Sequence, residues 1–501
     1  MFTKLVVLCL SLTWPVSCSE KNPRILIIGA GASGIAAATR LWKANFTDLT
    51  ILEAENRIGG RVNSVKFGDA YVDLGGEWCH GEKGNIVYSM VKNLNALRHS
   101  DLKSRLVYSN GSYIDDEIYR NLINFSESVD ASVPNPEKEE RCGNFSSIGE
   151  CVDQEFNSTF HRIYRNDPDK LRVSLEAKEW LEHYMVGYDS PSSLSELSRG
   201  SDYRRCEGDF ALNWNGRGYR TVLDVMMQKY PDPSQELPID DHILLNREVS
   251  RISWNDSDSR TVTVQTSDNS SFEVDHVIFT SSLGVLKHHH VKMFNPSLPE
   301  EKVSTIRKAG FGAILKIILH FNETWWNPEE MVGLVWSTKD RNNIKRELGT
   351  GPEKDGRSWL TTMTELFTAD NNPRVLVLFF SGSMVPDIER TDDQVLINGL
   401  MYMFRKFLGK HYNIVQPDQM IKSAWYSNPH FHGTYSYDSI DGNSKEYKFP
   451  DRLAAPLTRD GIPVVQFAGE ATHPHYFSTV HGAIETGYRE ADRLIKLYAK
   501  E

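Results

Sequence analysis

Four apolar residues, Ile25 to Ile28, run directly into Gly29-Ala-Gly-Ala-Ser-Gly34 and then into an alanine-rich stretch, Ala36 to Trp42. Few folds accept such a segment. The apolar run reads as a parallel strand buried on both faces, and the residues after the glycines read as a helix. Gly29 permits the tight turn, Gly31 lets a pyrophosphate approach the backbone, and Gly34 lets helix and strand pack closely. The helix N-terminus then faces the anion. A second apolar run, Leu49 to Leu52, ends in Glu53, where an acid accepts a ribose hydroxyl. The segment therefore predicts a dinucleotide-binding unit. Taken alone, the three glycines are also compatible with plain turn chemistry.

At 501 residues the chain exceeds what one compact core holds, so two domains are expected. The formal charge of −11 leaves no basic surplus for phosphates and excludes a nucleic-acid binder. It suits attraction of polycations as well as ordinary solubility. Met1 to Ser19 read as a secretory signal: Lys4 is a short positive region, Leu5 to Leu12 an apolar one, and Pro15 breaks the segment. No later stretch is long and apolar enough to cross a membrane. Asn-x-Ser/Thr sequons at Asn45, Asn110, Asn124, Asn144, Asn157, Asn255, Asn269 and Asn322 fit N-glycans on a secretory protein. Cys142 and Cys151 flank a short polar loop and can form a disulfide in an oxidising compartment, whereas Cys79 and Cys206 read as free. No cysteine or histidine spacing suits zinc, so no metal is expected.

Along the chain, residues 24–81 form the nucleotide-binding unit, and 96–200 read as mostly helical and polar, with an exposed loop from Asp130 to Glu140. Strands return at Arg247 to Ser253, Thr261 to Thr266 and His276 to Thr280, and a further pair at Leu315 to Phe321 and Val375 to Phe380. Thr391 to Leu408 read as an amphipathic helix. The run Val464 to Phe467 is a strand entering a glycine turn, followed by a helix from about His481. The tract His288-His289-His290 is expected in a loop. A nucleotide-binding fold thus begins at the N-terminus and is completed at the C-terminus, with another unit inserted between.

Four blocks carry a resemblance: the glycine fingerprint with Glu53-Ala-Glu-Asn-Arg-Ile-Gly-Gly-Arg61, Leu74-Gly-Gly-Glu-Trp-Cys-His-Gly81, Phe467-Ala-Gly-Glu-Ala-Thr472, and Ser478-Thr-Val-His-Gly-Ala483. Together, from about Arg24 to Leu497, they resemble the flavin-containing amine oxidases, and among them the animal polyamine oxidases. The resemblance implies an α/β fold. A Rossmann-type FAD-binding domain would be built from 22–95, 210–302 and 428–501, and an α+β substrate-binding domain with a mixed sheet from 96–209 and 303–427. It implies non-covalent FAD, since members that attach the flavin use a cysteine near the C-terminus and this chain has none after Cys206. Gly29, Gly31, Ser33 and Gly34 would hold the pyrophosphate, Glu53 the ribose and Arg61 phosphate. Val249 would hold adenine through its backbone. Gly76, Glu77 and Trp78 would lie along the isoalloxazine, with Trp425 facing it. Glu470 would bind the ribityl region and Val480 would offer its N–H to the pyrimidine.

Lys316 is the implied catalytic residue. It lies in an otherwise apolar strand, where a charge is costly without a function or a partner, and the family uses such a lysine to hold a water beside the flavin. Ile314 and Leu315 precede it where relatives carry polar residues. His80 would accept a hydrogen bond from a substrate amine, or else is a structural histidine. Tyr435 would wall an amine cage left half-open by Thr479, while Tyr437 stays unassigned. Glu182 either holds a distal ammonium or makes a surface ion pair. The implied reaction is oxidation of spermine or an N-acetylated polyamine to an aldehyde, a shorter amine and hydrogen peroxide, with dioxygen as acceptor. Two alternatives stay open. One is a secreted L-amino-acid oxidase with a carboxylate clamp at Arg217 or Arg489; the other is a binding protein of this fold that has lost catalysis. The chain ends in Ala-Lys-Glu rather than Ser-Lys-Leu, so a secreted or lumenal site is expected.

Overall fold

The computed structural model describes residues 22–130, 142–255, 261–444 and 447–499. The segment read as a secretory signal, 1–19, and residues 131–140 of the stretch read as an exposed loop lie outside the described residues.

The strand Ile25–Ile28 is the centre of a six-stranded sheet. It pairs in parallel with Leu49–Leu52 on one side and His276–Phe279 on the other. From almost two hundred residues further on, Ile462–Phe467 pairs in parallel with His276–Phe279. All four residues of the central strand are buried, as a parallel strand covered on both faces requires. The helix Ala32–Lys43 covers one face and packs on the C-terminal helix Val480–Tyr498. That crossing is close: a Cβ at Gly487 would lie 2.2 Å from the Ser33 carbonyl oxygen.

A second six-stranded sheet runs Gln419–Lys422, Leu315–His320, Asn372–Phe380, Met363–Ala369, Glu330–Val335 and Lys103–Tyr108. Its neighbours are antiparallel except the last pair, which is parallel. Leu315–His320 is an inner strand buried along its whole length. The helices Asp116–Val129, Ile148–Ile163, Pro168–Glu176 and Lys178–Asp189 form a separate layer over a core containing Phe125, Phe156 and Phe160. Cys142 and Cys151 are joined in a disulfide at the edge of this layer, and Cys79 and Cys206 are free and buried.

One element departs from expectation. His288, His289 and His290 lie within the helix Leu283–Met293, not in a loop. Ser282 caps that helix by accepting from the Val285 N–H, and His288 and His290 each donate through Nδ1 to the carbonyl four residues back. These bonds satisfy the ring nitrogens inside the helix, so local polarity did not exclude it. Among the described residues, no group of three or more His, Cys, Asp or Glu could hold a metal ion, and no helix is long and apolar enough to cross a membrane.

Candidate active site

A cavity of about 770 Å³ opens where the parallel strands end and extends to the face of the second sheet. Gly29 and Gly31, Glu53, Thr280 and Gly469 line it from the carboxyl ends of four strands, the place where open α/β sheets bind ligands.

At this end the backbone is shaped for an anion. Gly29 has φ +102°, and a Cβ there would lie 2.6 Å from Thr280 Oγ1. A Cβ at Gly34 would lie 1.9 Å from the Gly29 carbonyl oxygen, so helix and turn come together only with glycine. The helix Ala32–Lys43 starts at Gly31 without a side-chain cap and without an acid in its first turn. Its first N–H groups and the positive end of its dipole are left for a ligand. Ser33 is buried beside Thr486. Glu53 is buried and fixed by the Ala30 and Glu55 N–H groups, at 2.8 and 2.9 Å, and its burial raises its pKa. Val249 lines the same end.

In the middle, Glu470 joins three segments. It accepts from Arg61 Nη1 at 2.9 Å, from Ser436 Oγ at 2.6 Å and from the Ser478 N–H at 2.8 Å. Arg61 also donates to the Thr434 carbonyl. Gly76, Glu77, Trp78, Trp425 and Val480 line this stretch, and Trp425 donates to the Leu74 carbonyl at 2.8 Å.

Lys316 enters from the inner strand of the second sheet and is 5% exposed. Its Nζ donates to the carbonyls of Asp73 and Gly75, both at 2.8 Å, and to Glu77 Oε2 at 2.6 Å. It also lies 4.9 Å from the centre of the Phe379 ring. All three ammonium hydrogens are used, so a water bound to Lys316 must displace one of these acceptors. Burial raises the Glu77 carboxyl while Lys316 opposes that rise. Asp73, more deeply enclosed, is pushed up to about 7, chiefly by burial.

His80 stacks on Phe210 with ring centres 4.3 Å apart, and its Nδ1 lies 2.6 Å from the Phe210 carbonyl. A carbonyl can only accept, so Nδ1 carries the hydrogen. Burial lowers the His80 pKa, which keeps the ring neutral at pH 7 and leaves Nε2 as an acceptor. Tyr435 lines the cavity and donates its hydroxyl to the Gly187 carbonyl at 2.7 Å. Thr479 also lines it, but its hydroxyl is engaged as the cap of the helix Val480–Tyr498. Tyr437 is core, bonded to Glu196.

Glu182 is not brought to the site. It pairs with Lys178 at 3.3 Å and does not line the cavity. Tyr184, Gly187 and Tyr188 do line it, at the i, i+3 and i+4 positions of one helix face. Glu182, two residues before Tyr184, points away from that face. Three acids not expected there line the substrate end of the cavity instead: Asp130, Asp189 and Glu365. Glu365 carries the signal that singled out Lys316, a charge inside an apolar strand. Asp189 carries another, an acid at the unfavourable end of a helix dipole. Neither clamp candidate lines the cavity. Arg217 stacks over Tyr230, and Arg489 donates to the carbonyls of Phe467 and Thr472.

Comparison with known proteins accords with this geometry. The family model described as "Flavin containing amine oxidoreductase" matches residues 32–495. The human "Peroxisomal N(1)-acetyl-spermine/spermidine oxidase" is 28% identical over 533 residues, covering 98% of each chain. The maize "Polyamine oxidase 1" is 28% identical, covering 96% of this chain and 92% of its own. A solved structure of a putrescine oxidase double mutant shares the fold with a TM-score of 0.63 at 17% identity, over 95% of this chain and 99% of its own. The cofactor is FAD, and the glycine cradle, the uncapped helix and Glu53 fit such a group on this chain's own geometry. One expectation is corrected. The human relative and a bovine one, 28% identical over 95% of this chain, are both named peroxisomal, which overturns the secreted or lumenal assignment.

Proposed function

The chain belongs to the flavin containing amine oxidoreductases, and on that premise we propose that it oxidises a carbon–nitrogen bond of a polyamine, spermine or an N-acetylated derivative. FAD, when bound, supplies the acceptor for the hydride of the amine's α-carbon. The protein supplies an enclosed cavity, orientation and a proton acceptor. The imine is hydrolysed to an aldehyde and a shorter amine, and dioxygen is the final acceptor, leaving as hydrogen peroxide.

The observation that carries this reading is the substrate end of the cavity. A neutral His80, held with Nε2 as acceptor, faces a chamber walled by Tyr435, Tyr184 and Trp78 and bordered by carboxyl groups. An amine donor suits that lining; a carboxylate does not. Arg205, the arginine at this end, is already paired with Asp130 at 2.5 Å. The L-amino-acid oxidase alternative therefore has no support from the lining, and the intact cradle and Lys316 disfavour a protein without catalysis. Gly29, Gly31, Ser33, Gly34 and Arg61 take the pyrophosphate, Glu53 the ribose and Val249 the adenine. Gly76, Glu77, Trp78, Trp425, Glu470 and Val480 surround the rest of the cofactor. Lys316 and Glu77 fix the Asp73–Glu77 segment and together hold a proton at the cavity wall. Segments 22–95, 210–302 and 428–501 serve the cofactor, and 96–209 and 303–427 the substrate.

The test is anaerobic titration of the purified flavoprotein with spermine. Bleaching of the oxidised flavin band that returns on admitting air supports the reading. A band that stays oxidised with spermine and with its N-acetylated form overturns it.

A further inference from the structure

Lys316, Phe379 and Glu365 are direct partners across three adjacent strands of the second sheet: Lys316 pairs with Phe379, and Phe379 with Glu365. Directly paired residues present their side chains on one face, so the three stand in a row, and all line the cavity. Two strand spacings separate Glu365 from Lys316, about 10 Å along the sheet. The register shifts between Met363 and Glu365, the kind of irregularity that re-aims a side chain. Asp189 reaches the cavity from another wall, as the last residue of the helix Lys178–Asp189. Among the described residues, neither carboxyl has a hydrogen bond or ion pair. A carboxyl enclosed by protein without a partner is costly; both line the substrate chamber, and Asp189 also borders a small pocket of about 70 Å³ beside it.

We propose that Glu365 and Asp189 are the receptors for two further cationic nitrogens of the substrate, at separate points of the cavity, so that the site selects amines carrying such charges at both. The proposal rests on the polyamine reading above and specifies its recognition. The protonation behaviour agrees. Burial, reinforced by Glu77, pushes Glu365 up to about 7. Burial, reinforced by Asp130 and Asp438 and opposed by Arg205, pushes Asp189 up to about 7. The other titratable groups facing them are Tyr119, Tyr184 and Tyr188 around Glu365, and Tyr203 and Tyr435 around Asp189. None of these phenols ionises near neutrality. An arriving cation favours the carboxylates and expels protons from them.

Two measurements on the holoenzyme test this. The first is the spermine concentration that gives half the limiting rate of anaerobic flavin bleaching, in the wild type and in Glu365→Gln, Asp189→Asn and the conservative Glu365→Asp. We expect half-saturation to rise about tenfold or more in the two amide variants, by a larger factor than any fall in the limiting rate, and Glu365→Asp to recover part of the loss. The second needs no variant: calorimetric binding of a linear α,ω-bisguanidine, whose charges do not titrate, at pH 7 in buffers of different ionisation enthalpy. Net proton release is expected, fading at pH 9 where both acids are already ionised. Unchanged half-saturation in both amide variants overturns the proposal, as does bisguanidine that fails to bind or binds without proton release. A wild type that neither spermine nor its N-acetylated form bleaches overturns the polyamine reading itself, a different result.

Discussion

A buried ammonium survives at residue 316 because three acceptors surround it and one is a carboxylate. Removing it leaves Glu77 enclosed and unpaired. Lys316→Met is expected to lower kcat/KM for spermine by about 10² to 10⁴, checked by steady-state peroxide production beside the flavin content per chain. Unchanged activity would remove Lys316 from the catalytic machinery and leave it a structural partner of Glu77. The pH profile follows with its sign. Burial lowers His80 below its ordinary value, so the ring is neutral from neutrality upward and adds no limb there. The substrate nitrogen must lose a proton to react, and Glu365 and Asp189 become anionic above about 7. Both effects make kcat/KM for spermine rise with pH through neutrality, and a profile falling over that range would contradict them. Lys316 was legible in the sequence because a lone charge in an apolar run needs a reason. Of the two readings left open for Glu182 the ion pair is the one that forms; the sequence could not choose, because a helix face cannot be assigned without knowing what the helix packs against, and Tyr184 and Tyr188 face the chamber instead.

The strand–turn–helix from Ile25 to Lys43 was readable because everything that shapes it is local: the apolar strand, the glycines and the uncapped helix start. Gly34 is its tightest point. Gly34→Ala places a methyl 1.9 Å from the Gly29 carbonyl oxygen, where backbone rather than a flexible side chain must move. We expect a destabilisation of about 1–3 kcal/mol from overpacking and a protein that purifies with little flavin, read from the absorbance ratio of flavin to protein. Full flavin occupancy would show that the helix shifts without disturbing the cradle. The histidine helix Leu283–Met293 was not readable in this way, because its stability comes from the Ser282 cap and from packing rather than from its polar tract. The row Lys316–Phe379–Glu365 was hidden for a different reason. It depends on the register of three strands, one of them about fifty residues away in sequence and bulged against its neighbour.

Across the whole molecule, the fold encloses acids whose charged forms it disfavours. Asp73, Asp189 and Glu365 are raised to about 7 and Asp438 to about 6, all chiefly by burial. A carboxyl with a raised folded pKa binds more protons folded than unfolded between about 4 and 7, so stability falls as pH rises through that window and stays reduced above it. Histidines that are partly or wholly enclosed oppose this. His183 and His432 are lowered to about 4 and His481 to about 3, so each adds stability as pH rises toward the unfolded value of 6.5. The opposing slopes overlap below 6.5, and the acids alone act from there to about 7. Glu365 isolates that part. Its rise from 4.5 to about 7, at about 1.4 kcal/mol per pH unit, makes its ionised form cost up to about 3 kcal/mol of stability. Glu365→Gln should match the wild type's melting midpoint at pH 4.5, where both side chains are uncharged in the folded state. At pH 8 it should melt a few degrees higher. Melting curves of both proteins at the two pH values decide this. A variant that melts lower at pH 8 would mean that Glu365 has a stabilising partner when ionised. In the free enzyme it should have none until a cationic substrate arrives.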